Sequence, residues 1–264
     1  MNTAETLFRG GKLAESLQSL QSEVRQRPAD AKLRIFLAQL LMVSGDWDRA
    51  LNQLSVVGEL DAGALPMVHT YRAAITCERL RAGVFEGKRS PLIFGDPQEW
   101  IAQLLQSLTL RSQGHAGQAQ EMAAAALESA PATAGSLNGN AFEWIADADS
   151  RLGPILEVLL NGAYYWVPFA RIRQIKLEAP ADARDLVWMP AQFTWSNGGE
   201  ALGLIPTRYP GSERSGDEAI CLSRKTQWQS LGADAYGGLG QRLLTTSADE
   251  LGLLDVRELT LAAE

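Results

Sequence analysis

The first half of the chain repeats itself. Gly11-Lys-Leu-Ala-Glu-Ser-Leu17 superposes on Gly45-Asp-Trp-Asp-Arg-Ala-Leu51 at an offset of 34 residues, which is the tetratricopeptide period. Leu20 then aligns with Leu54, and Pro28 falls where such a repeat ends its second helix. Gly114-His-Ala-Gly-Gln-Ala-Gln120 follows about two periods after Gly45, with Pro131 in the place of Pro28. Each position has a physical reason. Glycine breaks the first helix, a small residue (Ser16, Ala50, Ala119) lets two helices cross closely, and proline halts the second. A chain with this period stacks helix pairs, each burying its apolar face against the next.

Between these copies the pattern loosens. His69–Leu80 reads as one helix, and Val84–Pro97, with Gly87, Pro91, Gly95 and Pro97, reads as a loop. Trp100–Gln113 and Gly117–Ser129 then restart a helix pair. Residues 1–131 are therefore expected to form a tetratricopeptide-like α-α superhelix: two repeats, a degenerate pair and a third repeat. Such a solenoid offers a concave face to a peptide or helix of another protein. Residues 132–140, small and polar with Gly135 and Gly139, read as a linker.

From 141 to 264 the period becomes that of strands. Ile155–Leu160 and Ala163–Val167 flank Asn161-Gly162, a dipeptide suited to a type I′ turn because both residues need positive φ. A two-residue loop sets Leu160 against Ala163 and Val158 against Tyr165, giving one apolar face; Glu157, Leu159, Tyr164 and Trp166 form the other. A second hairpin runs from Asp185–Met189 to Ala201–Pro206 across Ser196–Gly199, and Pro190 implies a bulge or an edge. Ser215-Gly-Asp-Glu218 reads as a capping box for a short helix to about Lys225. Gln241–Thr246 and Leu251–Leu261 read as a last hairpin across 247–250. The fold class is α+β: the helical array followed by a small, mostly antiparallel β-rich domain, a sheet or partly closed barrel.

Composition bounds the function. With 46% hydrophobic and 21% charged residues the chain is an ordinary globular protein, and a net charge of −7 argues against general nucleic-acid binding. Arg171, Arg173, Lys176 and Arg184 are close in sequence and read as a solvated edge. No signal peptide and no membrane-spanning segment is expected, and two distant cysteines, Cys77 and Cys221, suit a reducing cytoplasm. The two histidines, His69 and His115, both fall in the helical half, so a His-based triad or metal site in the β-rich half lacks material. Gly237-Gly-Leu-Gly240 resembles a phosphate cradle but lacks the strand before and helix after that would aim its amides, and reads as turn glycine.

Asp147-Ala-Asp149 is the best chemical candidate. Two carboxylates at i and i+2, with Glu157 as a third oxygen ligand, suit a divalent cation or an acid–base pair. The alternative is that they cap a turn and pair with Arg151. Arg208 and Tyr209, between two prolines, either bind an anion or brace the turn. No residue is assigned a catalytic, cofactor-binding or metal-binding role, and no cofactor is expected.

Four segments carry a resemblance. They are Phe142-Glu-Trp-Ile-Ala-Asp-Ala-Asp-Ser-Arg-Leu-Gly-Pro154, Asn161-Gly-Ala-Tyr-Tyr-Trp-Val-Pro-Phe169, Pro206-Thr-Arg-Tyr-Pro-Gly-Ser-Glu213 and Gly238-Leu-Gly-Gln-Arg242. In this order, behind the helical repeats, they resemble the ImpE family, also called TagJ or SciE, whose members are accessory proteins of type VI secretion systems. The resemblance implies a cytoplasmic, non-catalytic adaptor. Its implied protein partners are the ClpV ATPase and the N-terminal helix of the small sheath subunit, TssB, with no nucleic acid and no membrane insertion. The rival reading is a metal- or anion-binding enzyme or ligand sensor built on Asp147, Asp149, Arg151 and Arg208. It requires those groups to converge on an open pocket.

Overall fold

Helices break where the repeat places its glycines. The computed structural model describes residues 3–262. Helices α1 (Thr3–Arg9) and α2 (Leu13–Gln26) turn at Gly11, α3 (Ala31–Val43) and α4 (Trp47–Leu60) at Gly45, and α6 (Glu99–Ser112) and α7 (Ala116–Ser129) at Gly114. Gly45 has φ +73° and Gly114 φ +85°, the left-handed conformation that ends a helix without a Cβ clash. Asp30 and Asp46 cap α3 and α4 by accepting from the Leu33 and Arg49 amides. The predicted crossing residues Ser16, Ala50 and Ala119 are fully buried, and Ser16 Oγ donates to the Ala4 carbonyl at 2.7 Å.

The degenerate pair is one long helix, α5 (Leu65–Phe85). It extends beyond both ends of the expected His69–Leu80. The following segment, expected to be all loop, contains β1 (Leu92–Ile93).

Among the described residues the β-rich half has three sheets. The largest is nine-stranded, in the order β1-β6-β5-β9-β8-β7-β14-β2-β3. Its remaining strands are β2 (Gly135–Leu137), β3 (Asn140–Phe142), β5 (Ile155–Leu160), β6 (Ala163–Pro168), β7 (Ile172–Lys176), β8 (Trp188–Trp195), β9 (Glu200–Pro206) and β14 (Glu258–Leu261). Every pairing is antiparallel except β1 with β6. The sheet is open, since β1 and β3 end it without meeting. A three-stranded sheet orders β13 (Glu250–Gly252), β12 (Leu243–Thr246) and β4 (Ile145–Asp147), and a ribbon pairs β10 (Thr226–Gly232) with β11 (Ala235–Gly240).

The first hairpin has the expected register, Leu160 opposite Ala163 and Val158 opposite Tyr165. Asn161 and Gly162 take φ 49° and 77°, as a type I′ turn requires. Both faces of this hairpin are buried. Leu159, Tyr164 and Trp166 join a core shared with the helices, and Leu156, Val158 and Val167 join a second core inside the β-rich half. The shared core also takes Ala183, Val187, Trp188 and Leu222.

Several local expectations are corrected. Residues 132–140, read as a linker, hold β2 and the start of β3, because β2 finds a partner in β14. The second hairpin starts at Trp188, since Asp185 lies in a 3₁₀ turn, Ala183–Leu186. Pro190 sits where β7 has already ended at Lys176, so β8 is locally an edge and needs no amide there. Helix α8 is only Glu218–Cys221, capped by Asp217 and not by a box from Ser215. The tail splits: β12 and β13 form the hairpin, while β14 leaves for the large sheet. Gly237–Gly240 are not turn residues but lie within β11.

One helix of the array, α3, is enclosed by the chain itself. Every residue from Leu37 to Val43 of α3 is buried. Helices α2 and α4 cover one side of α3, and the 3₁₀ turn 183–186 packs on another. A helix apolar all round is the sequence sign of such enclosure. Trp47, at the repeat turn, stacks on Trp188 of β8 with ring centroids 5.9 Å apart.

Candidate functional site

The motif residues converge on one buried cluster. Glu157 on β5 accepts from Arg81 of α5 through both carboxylate oxygens, at 2.7 and 2.8 Å. It also pairs with Arg242 and accepts from the Tyr164 hydroxyl, whose oxygen takes the Trp166 indole N–H at 2.8 Å. The Arg242 guanidinium bridges Glu157 and Asp147. The other Asp147 oxygen accepts from the Tyr209 hydroxyl at 3.0 Å and the Asp149 amide at 2.8 Å. Asp149 holds Arg151 in a two-point ion pair and accepts from the Gly238 amide at 2.8 Å. Arg151 in turn lies over the Phe85 ring of α5, 4.7 Å from its centroid, a cation–π contact.

Local sequence explains how each group arrives. The i and i+2 spacing of Asp147 and Asp149 lets one carboxylate accept the other's backbone amide at the end of β4, a short side-chain turn. Gly238 is the only residue type that fits its place, because an added Cβ would sit 2.1 Å from the Tyr209 ring. Arg81 is presented by the last turns of α5, where Glu78 completes its environment and accepts from the Trp188 indole N–H at 2.9 Å.

Burial and neighbours set the ionisation. Burial pushes the Asp147 carboxyl up to about 6, against the pull of Arg242 and with Asp149 and Glu157 adding to the rise. Burial also acts on Glu157, but Arg81 and Arg242 outweigh it and hold its pKa down to about 2. Burial lifts the Tyr164 and Tyr209 hydroxyls well above the ordinary phenol value.

Arg208 does something different. Its guanidinium donates to the Val43 and Cys221 carbonyls at 2.6 Å each and to the Met42 carbonyl at 3.1 Å. Those of Met42 and Val43 are last-turn acceptors of α3, which lack intrahelical donors and carry the negative end of the helix dipole. The Arg208 carbonyl accepts from Arg81 at 2.9 Å, so the two arginines interlock. Neighbouring residues act in the same sense. Glu213 packs on Gly45, Glu218 accepts from the Ala14 amide at 2.7 Å near the start of α2, and Arg224 donates to the Phe8 and Arg9 carbonyls at the end of α1.

The rival enzyme or sensor reading required Asp147, Asp149, Arg151 and Arg208 to line an open pocket. Instead Asp147, Asp149 and Arg208 are buried, Arg151 is half-buried, all four are bound to one another or to main chain, and none of them lines either of the two principal surface cavities. Arg208 does not join the carboxylates at all. A carboxyl with a pKa near 6 suits proton transfer, but both Asp147 oxygens are occupied and its side chain is sealed from substrate. Among the described residues no His/Cys/Asp/Glu group is arranged to hold a metal ion. His69 and His115 are exposed on helices and turns away from the cluster. The basic run is divided: Arg171 meets Asp96, Arg184 meets Asp185 and the Tyr71 ring, and Arg173 and Lys176 are exposed on β7.

The open feature is a cleft of about 880 Å³ between α5 and the β8–β9 hairpin. Ala73 and Cys77 form its helical wall, Leu204 and Pro190 its floor, and Leu202, 75% exposed, its rim. A smaller cavity continues it past Leu202 over Gln192 and Lys176. Sequence reading missed this cleft. Its one signal was Leu202, an apolar residue on the outward side of an alternating strand.

Comparison with known proteins agrees with this architecture. Residues 139–260 match the family model described as ImpE protein, and residues 7–75 match a tetratricopeptide repeat model. The chain is 52% identical over 256 residues to the type VI secretion system accessory component TagJ of Pseudomonas aeruginosa, covering 97% of this chain and 90% of that protein. A Vibrio parahaemolyticus protein solved by X-ray crystallography superposes with a TM-score of 0.89 at 25% identity, covering 99% of this chain and 98% of that one. With a full-length relative at this identity and the ImpE signature spanning the β-rich half, the chain belongs to the ImpE family.

Proposed function

We propose that the chain is a non-catalytic accessory protein of a type VI secretion system, an adaptor between the contractile sheath and its disassembly motor. The observation that carries this reading is the 52% identity, across nearly the whole length, to a protein named a type VI secretion system accessory component. In this reading the chain takes the N-terminal helix of the small sheath subunit TssB and brings the ClpV ATPase to it. Tethering the motor beside its substrate raises its effective concentration without any new chemistry.

The cleft beside α5 supports the helix-binding half of the proposal. A helix docks through apolar anchors at i, i+3 or i+4, and i+7, and small side chains on α5 beside Leu202 and Leu204 leave room for them. We place the protein in the cytoplasm with these partners, and its two free, buried cysteines fit a reducing compartment. No described helix is long and apolar enough to cross a membrane.

Titrating the purified protein with the N-terminal sheath peptide tests the reading. Saturable binding at micromolar peptide is expected, together with co-purification of the ATPase. A folded protein that binds neither overturns it.

A further inference from the structure

Segment 206–225 of the β-rich half meets the turns of the first two repeats with the same charge pattern. In the second repeat, Arg208 donates to the Met42 and Val43 carbonyls at the end of α3, and the Glu213 side chain packs on the turn glycine, Gly45. In the first, Arg224 donates to the Phe8 and Arg9 carbonyls at the end of α1, at 3.2 and 2.8 Å. Glu218 accepts from the Ala14 amide in the first turn of α2 at 2.7 Å. Each repeat thus receives a cation at the end of its first helix and an acid at the turn or at the start of its second. These are the signs that the helix dipole favours at those ends, where carbonyls and amides lack partners in their own helix.

The two acids differ as the local caps require. Asp46 caps α4 with its own side chain, so that turn needs no second acceptor, and Glu213 gives Gly45 its stem. Lys12, at the equivalent place before α2, makes no side-chain cap, and Glu218 supplies the acceptor from across the molecule. The third repeat is the contrast. A Cβ added at its turn glycine, Gly114, would meet nothing within 4 Å. Its hydrogen bond to the β-rich half runs the other way, from Arg111 of α6 to the Leu231 carbonyl at 2.8 Å, outside segment 206–225.

We propose that segment 206–225 is a template that fixes the first two helix pairs on the β-rich half, one arginine and one glutamate to each, and that the third pair is placed without it. Arg208, Glu213, Glu218 and Arg224 are then positioning residues of the array. The Pro206–Glu213 motif gains a role separate from the buried carboxylate cluster: it recognises repeats by their helix ends. Recognition of this kind is independent of the apolar stripes by which neighbouring helices of a solenoid pack. It sets where the first two pairs sit on the β-rich half, which packing between the helices themselves leaves undetermined.

Hydrogen exchange on the full chain tests the first repeat. Arg224→Gln removes the charge that meets the end of α1, and exchange of the α1 and α2 amides is expected to quicken at least ~5-fold while α6 and α7 are unmoved. The second repeat has a test with its own reference. Gly45 and Gly114 hold φ +73° and +85°, so alanine brings left-handed strain to both, and of the two only Gly45 touches the segment. Gly45→Ala is expected to lower the urea midpoint more than Gly114→Ala does, and Glu213→Gly to remove that excess in a double-mutant cycle. The Arg224 measurement does not depend on the Gly45 variant folding. Unchanged exchange in α1 and α2, a rise that is equal in α6 and α7, equal losses at the two glycines, or losses that simply add in the cycle overturn the proposal.

Discussion

Helix α5 serves two regions of opposite character. Its last turns send Glu78, Arg81 and Phe85 into the buried cluster, where these and the charged side chains of Asp147, Asp149, Arg151, Glu157 and Arg242 are matched by one another, by hydroxyls and by main chain. Its middle turns show Ala73 and Cys77 to an open cleft whose other wall is strand. The difference teaches that the densest charge in this molecule holds the fold closed and does not line an open site. Unpaired charge in a dry interior costs several kcal/mol, so residues this polar are tolerated only where every one is matched. The cleft beside α5 is open to solvent, so exposed charges on its lining such as Lys176 and Glu178 stay hydrated and need no such matching.

The comparison breaks most visibly if one charge is removed from the cluster. Arg242→Ala leaves Asp147 and Glu157 buried without their shared partner and is expected to destabilise the fold by about 3–5 kcal/mol, read as a lower urea midpoint. A smaller loss in a folded protein, with the midpoint unmoved, shows that the cluster is not a brace.

Acid acts on the same residues. Glu157 has its pKa lowered in the folded chain, so its contribution is present above the unfolded value near 4.5 and is lost as pH falls toward about 2. Asp147 has the opposite sign. Its pKa is raised to about 6, so protonation favours the native state, and that contribution is full below about 4 and lost as pH rises through 6. Stability is therefore expected to fall by roughly 3 kcal/mol between pH 4.5 and 2 on account of Glu157. Urea unfolding of the wild type and Glu157→Gln across this range checks it, since the variant should lose most of that slope.

Gly238→Ala is a milder probe. Its Cβ meets the Tyr209 ring at 2.1 Å, and relief of that clash is expected to cost about 1–3 kcal/mol in a thermal melt. The cleft answers in the other sense. Leu202 is 75% exposed, so Leu202→Asp should change stability by less than ~0.5 kcal/mol while weakening sheath-peptide binding at least ~10-fold. Equal peptide affinity in the variant removes the cleft from the account.

These two regions were unequally legible in the sequence. The repeat glycines, the crossing residues Ser16, Ala50 and Ala119, and the Asn161-Gly162 turn follow from local chemistry, and a local pattern is enough to place them. Asp147, Asp149 and Arg151 were visible as a dense motif, and their mutual pairing was one of the readings they allowed. Their other partners were not visible, because Arg242, Tyr209 and Gly238 reach them across long sequence separations. Arg208 reads from sequence as an anion ligand or a turn brace, and which acceptors it takes is hidden for the same reason: besides the Cys221 carbonyl they are carbonyls of a helix more than 160 residues earlier. The strand in 132–140 escaped notice because its partner, β14, lies at the other end of the chain. The cleft escaped because its lining comes from separate stretches of the chain, on α5, β5, β8 and β9 and around Lys176–Asp185, that meet only in the packed fold.

The buried cluster joins the helical array to the sheet, and the Arg81–Glu157 pair is where that join is most direct. A double-mutant cycle measures it: urea unfolding of the wild type, Arg81→Met, Glu157→Gln and the double variant. A coupling energy above ~1 kcal/mol between these residues is predicted. Losses that add to within ~0.5 kcal/mol would contradict the account, because the two halves would then be held together by something else.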